Sequence, residues 1–427
     1  MKEDKIRVLI LGCGARGKDT YTKQICTKLS DVAEIVGAID LDSKKLEEMQ
    51  KEYGVPKEVC YTDADKILDG EKIADIVFIC TLDKLHYSYA IKAMKKGYHI
   101  LLEKPISPDL KECIEIERVA KEYNRKVVVC HVLRYTPFYR EIKRWINKGV
   151  VGDIVSMQAI EMVGYWHQAH SFVRGNWCNK EETSPMILQK CCHDFDILLW
   201  LCGKKSKRVS SFGDLRLFKR ENMPENATER CTDGCPHSET CPYFAPRYYL
   251  TQVRGGNTGW PINLLNPHPT EEIVLQALKD GPYGICVYRC NNNVVDHQVV
   301  NIQLEDGSTI DFTMCAFTKQ SYRKLRIMGT MGEIEGDMET NRIIVKPFVG
   351  DTIDINVNEL SDDFSGHGGG DIQMLREMID LVKNGDSLDK EGLTLVEQSM
   401  QSHYVAFAAE ESRINNGKVI DISEFIK

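Results

Sequence analysis

The amino-acid sequence predicts a two-domain α/β protein whose N-terminal third is a doubly wound parallel sheet. Three observations support this prediction. The chain has 427 residues, more than a single hydrophobic core usually supports. Its first third alternates short apolar runs with stretches of helical length, and a glycine-rich turn follows the first apolar run. This alternation is typical of βαβ units, whose helices cover both faces of a parallel sheet.

The elements of the first third follow one another in a regular order. Short apolar runs predict buried strands at residues 6–11, 35–39, 76–80, 100–102 and 127–130. The stretches between them predict helices at 43–53, 87–96 and 110–123. We therefore place a dinucleotide-binding type of sheet domain at residues 1–132.

The sequence changes character after residue 132, so residues 133–427 form the second predicted domain. Its predicted elements are a helix at about 139–148, a strand at 154–163, a helical segment at 191–203, an irregular cysteine-containing insertion at about 214–270, mostly strands from about 272 to 347 with a hairpin turn at 304–308, a helix behind the glycines of HGGGD, and a helix at about 393–415.

Composition excludes several classes of protein. The net charge of -8 and the pI near 5.8 argue against a nucleic-acid-binding protein, which normally carries a basic face. No apolar run approaches the length of a membrane span. The first residues lack the apolar core of a signal peptide, so we expect a cytoplasmic protein whose sixteen cysteines are mostly reduced and buried.

The glycine-rich turn lies in the stretch LILGCGARGKDTY, directly after the first predicted strand. Glycines in the order G-x-G-x-x-G between a strand and a helix present backbone N–H groups to a diphosphate. The residues expected to contact a dinucleotide here are Gly12, Gly14, Ala15, Arg16 and Gly17. Two alternatives stay open: the turn binds no ligand, or the Arg16 side chain pairs with a surface acid instead of the phosphates.

The second strand ends in GAIDLD, which places Asp40 23 residues after Gly17. A carboxylate at this point accepts hydrogen bonds from a free ribose 2′-hydroxyl and repels a 2′-phosphate. The sequence therefore favours NAD over NADP. In the alternative interpretation, Asp40 caps the following helix.

A second motif, Glu103-Lys104-Pro105, follows a buried strand at the carboxyl edge of the predicted sheet, where open α/β folds bind ligands. A lysine here could orient a substrate hydroxyl and lower the pKa of the proton to be lost. The alternative is a solvated lysine on a turn.

Together with the stretches TLDKLHYSYAIKAMKKGYHILLEKPIS and HDFDILLWL, these motifs resemble the glucose-fructose oxidoreductase, inositol dehydrogenase and MocA family (Gfo/Idh/MocA). The resemblance covers nearly the whole chain. It implies an N-terminal Rossmann domain and a C-terminal α/β domain with a large, mostly antiparallel open sheet. One sheet face would line the substrate pocket and the other commonly forms an oligomer interface, so we expect a homodimer or homotetramer.

The resemblance also implies roles for particular residues. Thr81, Leu82 and His86 match the loop beside the nicotinamide ribose, and Glu103 and Lys104 match cofactor and substrate contacts. His193 matches the histidine that takes the hydroxyl proton in many members. Many members carry an aspartate four residues before that histidine, but this chain has Gln189 there and Lys190 next to it. Lys190 could hold the substrate hydroxyl in its place, and His193 could instead be a structural histidine.

An aromatic stretch, GYWHQAHSFVRGNW, follows a predicted strand of the second domain. Aromatic faces and forked donors suit the C–H faces and hydroxyls of a sugar or cyclitol ring. The candidate substrate-binding residues are Tyr165, Trp166, His167, His170, Arg174 and Trp177. The alternative is that these aromatic residues are part of the core.

A cysteine cluster, Cys231, Cys235 and Cys241 with His237 between them, lies in the predicted insertion. Three thiolates and an imidazole could hold a structural zinc ion, although the spacing is not a strong zinc pattern.

We therefore expect an NAD-dependent dehydrogenase that acts on a CH–OH group of a small sugar, sugar derivative or cyclitol, with Lys104, His193 and Lys190 as the catalytic residues. Two alternatives stay open. One is redox-neutral glycoside cleavage through transient oxidation by tightly bound NAD, and the other is a non-catalytic dinucleotide-binding regulatory protein.

Overall fold

The computed structural model describes residues 5–385 and 392–427, and within them the chain forms two sheets, of six and nine strands. The first sheet has the order β3-β2-β1-β4-β5-β6, and all of its neighbouring strands are parallel. Its strands are β1 (Ile6–Leu11), β2 (Ala33–Ile39), β3 (Cys60–Tyr61), β4 (Ile76–Ile79), β5 (His99–Leu102) and β6 (Val127–Val129). This confirms the predicted doubly wound sheet, whose topological switch point lies between β1 and β4.

Helices cover both faces of the first sheet, because its central strands are apolar on both sides and must be buried on both. They are a π-helical segment (Ala15–Thr22), α1 (Lys23–Lys28), α2 (Ser43–Tyr53), α3 (Asp65–Leu68), α4 (His86–Lys96) and α5 (Leu110–Glu122). The side chain of Asp42 caps α2, and Gly54 ends it in the left-handed conformation.

The second sheet has the order β14-β13-β12-β11-β7-β10-β9-β8-β15. Only β7 and β10 are parallel neighbours among its described strands, so the expected large, mostly antiparallel sheet is confirmed. Its strands are β7 (Ile154–Met162), β8 (Ser206–Asp214), β9 (His297–Leu304), β10 (Thr309–Cys315), β11 (Tyr322–Gly329), β12 (Gly332–Asp337), β13 (Arg342–Pro347), β14 (Ile353–Asn356) and β15 (Ile420–Asp421).

The remaining helices belong to the second half of the chain. They are α6 (Pro137–Asn147), α7 (Tyr165–His167), a π-helical segment (Gln168–Arg174), α8 (Met186–Gln189), α9 (Cys192–Cys202), α10 (Ala245–Arg254), α11 (Glu271–Asp280), α12 (Ser365–Gly368), α13 (Gly370–Asn384), α14 (Val396–Ile414) and α15 (Ile422–Phe425). In the described parts of the chain, no helix is long and apolar enough to cross a membrane.

The last third of the chain packs against both sheets. The apolar face of α13 completes the core on one side of the first sheet, where Met374 and Met378 share a buried cluster with Ile10. Helix α14 lies against β8, α9 and α5. These contacts bring residues from the two ends of the sequence to one place.

Two expectations about the second domain are wrong. The segment predicted to be irregular contains α10, which packs with α11 around Tyr249 and Val274 as a small core of its own. The segment after residue 270 begins with a helix and not with strands, since the Thr270 side chain caps α11 and the strands resume only at His297.

Candidate functional site

The glycine turn leaves open space where a diphosphate is expected. A Cβ atom at Gly12 would lie 2.6 Å from the Cys80 carbonyl oxygen, and one at Gly17 would lie 1.9 Å from the Gly12 carbonyl oxygen. Both positions therefore need glycine for the turn itself. A Cβ atom at Gly14 would meet nothing within 4 Å, so the turn has room for a bound group at the start of the following π-helical segment.

Asp40 lies beside this turn. Its Oδ2 accepts a hydrogen bond from the Cys13 backbone N–H at 2.8 Å, and its Oδ1 accepts one from the Asp42 N–H at 2.9 Å. Helix α2 is capped by Asp42 instead, so Asp40 is not the helix cap. Its carboxylate therefore lies at the end of β2, next to the glycine turn.

The Arg16 side chain pairs with buried acids. Its Nε donates to Glu103 Oε1 at 2.6 Å and its Nη2 donates to Asp371 Oδ1 at 2.7 Å. Burial alone would raise the pKa of both carboxyl groups. Arg16 opposes it, together with Tyr21 and Lys104 at Glu103 and with His367 at Asp371, so the pKa of each carboxyl group lies below its usual value. Between the two interpretations of Arg16, the structure supports pairing with acids, which come from the E-K-P motif and from α13.

The 81–86 loop contacts the E-K-P loop through His86. The His86 ring nitrogens lie 2.8 Å and 3.0 Å from the carbonyl oxygens of Pro105 and Thr81. His86 therefore fixes the two loops relative to each other. The Thr81 hydroxyl is buried and has no hydrogen-bond partner among the described residues, and the Leu82 side chain is half exposed.

Lys104 reaches from the first domain to the helical segment that precedes His193. Its Nζ donates to the Gln189 carbonyl oxygen at 2.8 Å and lies 3.3 Å from Gln189 Oε1. The Lys104–Pro105 peptide bond is cis. Lys104 is thus held by neutral oxygens at the position where many family members carry an aspartate.

His193 lies in the first turn of α9 and is buried. Burial is the largest factor and Lys104 the next in lowering the pKa of His193 well below its usual value of 6.5. The imidazole is therefore neutral near pH 7. Its Nδ1 has no hydrogen-bond partner in the described chain, and its ring centre lies 5.5 Å from that of His131 and 6.3 Å from that of His367.

Lys190 belongs to a buried group of four charges that the sequence alone did not indicate. Its Nζ lies 3.2 Å from Glu161 Oε1, and Arg323 Nε lies 2.9 Å from Glu161 Oε2 and 2.7 Å from Asp194 Oδ1. Burial raises the pKa of Glu161 although Arg323 and Lys190 oppose it. Glu161 and Arg323 are direct neighbours across β7 and β11.

Only part of the predicted aromatic stretch lies near the two lysines. The rings of Trp166 and His167 are stacked with centres 5.5 Å apart, and the Trp260 ring lies 5.1 Å from His167. Burial first and then Lys190 lower the pKa of His167 well below its usual value. Trp260 comes from the insertion and was not singled out from the sequence. This group presents aromatic faces next to the candidate catalytic residues.

The other predicted substrate contacts have structural partners. Arg174 donates to the carbonyl oxygens of Ile285 and Tyr243 at 2.8 Å and 2.9 Å, so it anchors the insertion. Trp177 is partly buried and packs against the core, and the Tyr165 ring contacts Tyr243. The structure gives Arg174 a structural role, whereas the buried Nε1 of Trp177 has no hydrogen-bond partner among the described residues, and the substrate contacts of both stay predictions. The His170 ring is likewise buried, with its Nδ1 2.7 Å from the Tyr249 hydroxyl.

The cysteine cluster does not form the predicted zinc site. Cys231, Cys235, Cys241 and His237 line one small cavity, but no group of three or more His, Cys, Asp or Glu side chains in residues 5–385 and 392–427 is arranged to hold a metal ion. His237 Nε2 lies 2.8 Å from the Glu225 carbonyl oxygen, and the Arg174 guanidinium lies 3.6 Å from the Cys231 sulfur. A guanidinium next to a thiol opposes the binding of a second cation.

Comparison with known proteins gives matches over both domains. The family model described as "Oxidoreductase family, NAD-binding Rossmann fold" matches residues 6–131, and the model described as "Oxidoreductase family, C-terminal alpha/beta domain" matches residues 143–420. YteT of Bacillus subtilis is 22% identical over 396 residues, which cover 87% of this chain and 88% of YteT.

Two further proteins relate the chain to dehydrogenases. Inositol 2-dehydrogenase 4 of Saccharopolyspora erythraea is 28% identical over 212 residues, which cover 49% of this chain and 58% of that enzyme. The crystal structure of scyllo-inositol dehydrogenase from Lactobacillus casei, with bound NAD(H) and scyllo-inositol, has a TM-score of 0.66 at 18% identity and covers 98% of this chain and 100% of its own. At that identity the structural likeness shows the fold.

Proposed function

This chain belongs to the Gfo/Idh/MocA family of oxidoreductases, dehydrogenases that act on CH–OH groups, and we propose that it transfers hydride between NAD and a secondary hydroxyl of a sugar, sugar derivative or cyclitol. The observation that carries this proposal is that Lys104 of the first domain bonds Gln189, four residues before the buried His193 of the second domain, and lies close enough to His193 to lower its pKa. The inositol dehydrogenases among its relatives support the class of substrate.

Oxidation of a secondary alcohol removes a hydride from carbon and a proton from oxygen. His193 can take the hydroxyl proton because its imidazole is neutral. The Lys104 ammonium, whose partners are neutral oxygens, can stabilise the negative charge that develops on the substrate oxygen. Lys190, fixed by Glu161, can hold a neighbouring hydroxyl. When bound, NAD supplies the hydride acceptor.

The proposed cofactor contacts follow the open turn of the first domain. The backbone around Gly14 would hold the diphosphate, and Asp40 would accept hydrogen bonds from the ribose hydroxyls. The carboxylate of Asp40 favours NAD over NADP because it repels a 2′-phosphate. The buried, unpartnered hydroxyl of Thr81 offers a further hydrogen bond, and Glu103 acts indirectly by fixing Arg16.

A screen for NAD reduction over sugars, sugar acids, glycosides and inositols, with product analysis, tests this proposal. Lys104→Met and His193→Asn should abolish turnover and leave the affinity for NAD, measured by calorimetry, nearly unchanged. Lys111→Met, at an exposed position on α5, is the matched control and should behave as the wild type. Unchanged turnover in both active-site variants would contradict the proposed roles.

A further inference from the structure

A fully buried imidazole without a hydrogen-bond partner lies beside His193. It belongs to His131, which follows strand β6 at the carboxyl edge of the first sheet. Neither of its ring nitrogens has a hydrogen-bond partner among the described residues. Its ring centre lies 5.5 Å from that of His193, with an angle of 78° between the two ring planes. Buried polar nitrogens are rarely left unpaired, so the ring of His131 requires a partner.

His193 has an unpartnered nitrogen of its own. Its Nδ1 is buried and accepts or donates no hydrogen bond within the described chain, so Nε2 is the nitrogen left to meet the substrate. A neutral imidazole that takes up a proton at Nε2 must already carry its other proton at Nδ1. An acceptor for the Nδ1–H keeps the ring in this tautomer and orientation, as the carboxylate does in a Ser-His-Asp triad. His193 therefore also requires a partner, and that partner must be an acceptor.

The other ring in contact with His131 cannot satisfy it. This ring belongs to His403, whose centre lies 5.7 Å from that of His131. Nε2 of His403 accepts a hydrogen bond from the Ile106 N–H at 2.9 Å, so its proton is on Nδ1, 3.2 Å from the Ser399 carbonyl oxygen. Both nitrogens of His403 are therefore in use. Of the two rings that contact His131 in the described chain, His193 is the one with an unpartnered nitrogen.

We propose that His131 is a positioning residue: its ring accepts a hydrogen bond from the Nδ1–H of His193, directly or through one water molecule, and so keeps Nε2 of His193 free to take the hydroxyl proton. Ring centres 5.5 Å apart allow two facing nitrogens to reach hydrogen-bonding distance. His131 itself does not meet the substrate, because its side chain is fully buried. This inference rests on the proposed dehydrogenase function, because that reaction gives His193 a proton to accept.

His131 has the charge state that an acceptor needs. Burial first, and then Arg134 and Lys104, lower the pKa of His131 well below its usual value of 6.5, while Glu103 opposes them. The ring is therefore neutral near pH 7 and has one nitrogen with a free lone pair. A neutral acceptor orients His193 without adding a negative charge that would pair with Lys104 in place of the substrate oxygen.

The first experiment determines the tautomer of His193 without turnover, so it separates this inference from the proposed function. The full chain with isotope-labelled histidine is studied by proton–nitrogen correlation spectra, with and without NAD, and His193→Asn identifies the signals of that ring. In the wild type the proton should be on Nδ1. In His131→Phe, which keeps a ring but has no acceptor, the Nδ1 and Nε2 signals should shift toward each other as both tautomers become populated. A proton on Nε2 in the wild type, or unchanged signals in His131→Phe, would overturn the inference.

The second experiment measures NADH formation from NAD and myo-inositol. In His131→Phe, kcat should fall about 100-fold, the size of a typical general-base contribution, while KM and the affinity for NAD stay unchanged. His131→Asn and His131→Gln each supply an acceptor oxygen, and the better of the two should recover at least about tenfold of this loss. Unchanged kcat in His131→Phe, or equal losses in all three variants, would overturn the positioning role.

The chain offers a matched control in His99. This residue begins β5, is half-buried, and accepts a hydrogen bond from the Lys126 N–H at 3.0 Å through Nδ1. His99→Phe likewise removes an imidazole acceptor from the first domain, and it should keep the wild-type kcat and the His193 tautomer. Absence of NADH with myo-inositol in the wild type counts against the proposed function, and the tautomer of His193 then decides the role of His131.

Discussion

Replacing Arg16 by methionine leaves two buried carboxylates without the cation that joins them. Glu103 and Asp371 lie 2.6 Å and 2.7 Å from the guanidinium, and their side chains are 10% and 0% exposed. Removing one member of a buried ion pair typically costs about 3–5 kcal/mol, because the remaining charge stays in a poorly solvating environment. Methionine keeps most of the apolar stem. We therefore expect the free energy of unfolding to fall by about 4 kcal/mol at pH 7.

The measurement is urea-induced unfolding followed by far-UV circular dichroism. Arg7→Met is the matched control, since Arg7 also binds a carboxylate with two side-chain nitrogens but on the surface. The Arg7–Asp75 distance is 3.2 Å and the two side chains are 47% and 29% exposed. A surface pair of this kind contributes about 0–1 kcal/mol. Equal losses of unfolding free energy in Arg16→Met and Arg7→Met would show that burial does not make the Arg16 ion pairs more stabilising than a surface pair.

The stabilisation by Arg16 should depend on pH in a defined direction. Arg16 lowers the pKa of Glu103 and Asp371 in the folded state, so its stabilisation is fully present above the unfolded pKa values near 4 and is lost as the pH falls through the folded ones. The difference between wild type and Arg16→Met should be largest at high pH and should shrink steadily on acidification, because burial raises the pKa of the two unpaired carboxyl groups in the folded variant and they take up protons first. A difference that grows on acidification would contradict this reasoning.

Three further predictions concern the site. Asp40→Ser removes the charge that repels a 2′-phosphate, so the ratio of NADP affinity to NAD affinity should rise at least about tenfold in titrations with both cofactors. A wild type that already prefers NADP would contradict this prediction. Because burial and Lys104 keep the pKa of His193 low, kcat/KM should not fall through His193 protonation between pH 8 and 6. A loss of kcat/KM with a midpoint near 6.5 in the wild type would be evidence against a neutral His193. Lys190→Met removes the ammonium group, 3.2 Å from the buried Glu161, that is proposed to hold a substrate hydroxyl. We expect kcat to fall about 10- to 100-fold and the affinity for NAD to stay unchanged. Unchanged steady-state kinetics would show that Lys190 only balances the charge of Glu161.

The first domain could be predicted closely because its signals are local. Each buried strand is a short apolar run, and the predicted helix at 43–53 matches α2, with its cap and terminal glycine adjacent in sequence. The glycine turn needs only the strand before it and the helix after it. The position of Asp40 follows from the end of β2, whereas its hydrogen bond from the Cys13 N–H of the turn was not predicted.

The insertion was mispredicted although a local signal was present. Residues 271–280 place Ile273, Val274, Ala277 and Leu278 at helical spacing behind a Thr270 cap. These residues were grouped with the strands that follow them. The π-helical conformation of residues 15–22 had no comparable signal in the sequence.

The charged partners of the site could not be predicted, because they meet through tertiary structure. Glu161 and Arg323 are 162 positions apart and become neighbours only when β11 pairs with β7. The glycines around His367 indicated a hinge before α13, but nothing in the local sequence shows that this hinge faces His193. Sequence patterns identify the residues that a fold family uses, whereas sheet register decides which charges balance one another.

The balance of charges in the site affects which substrates can bind. The site groups four cations with four carboxylates, namely Arg16, Lys104, Lys190 and Arg323 with Glu103, Asp371, Glu161 and Asp194. A substrate carboxylate would make this set net negative, and it could pair with Lys104 only if Lys104 gave up the hydroxyl being oxidised, while desolvating the carboxylate would cost affinity. A neutral polyol adds hydroxyl groups that Lys104 and Lys190 can bind without changing the charge. We therefore expect neutral sugars or cyclitols to show higher kcat/KM than sugar acids of the same ring size in the substrate screen. A clear preference for sugar acids would contradict this reasoning and would indicate that a cation of the site, such as Lys104, binds the substrate carboxylate.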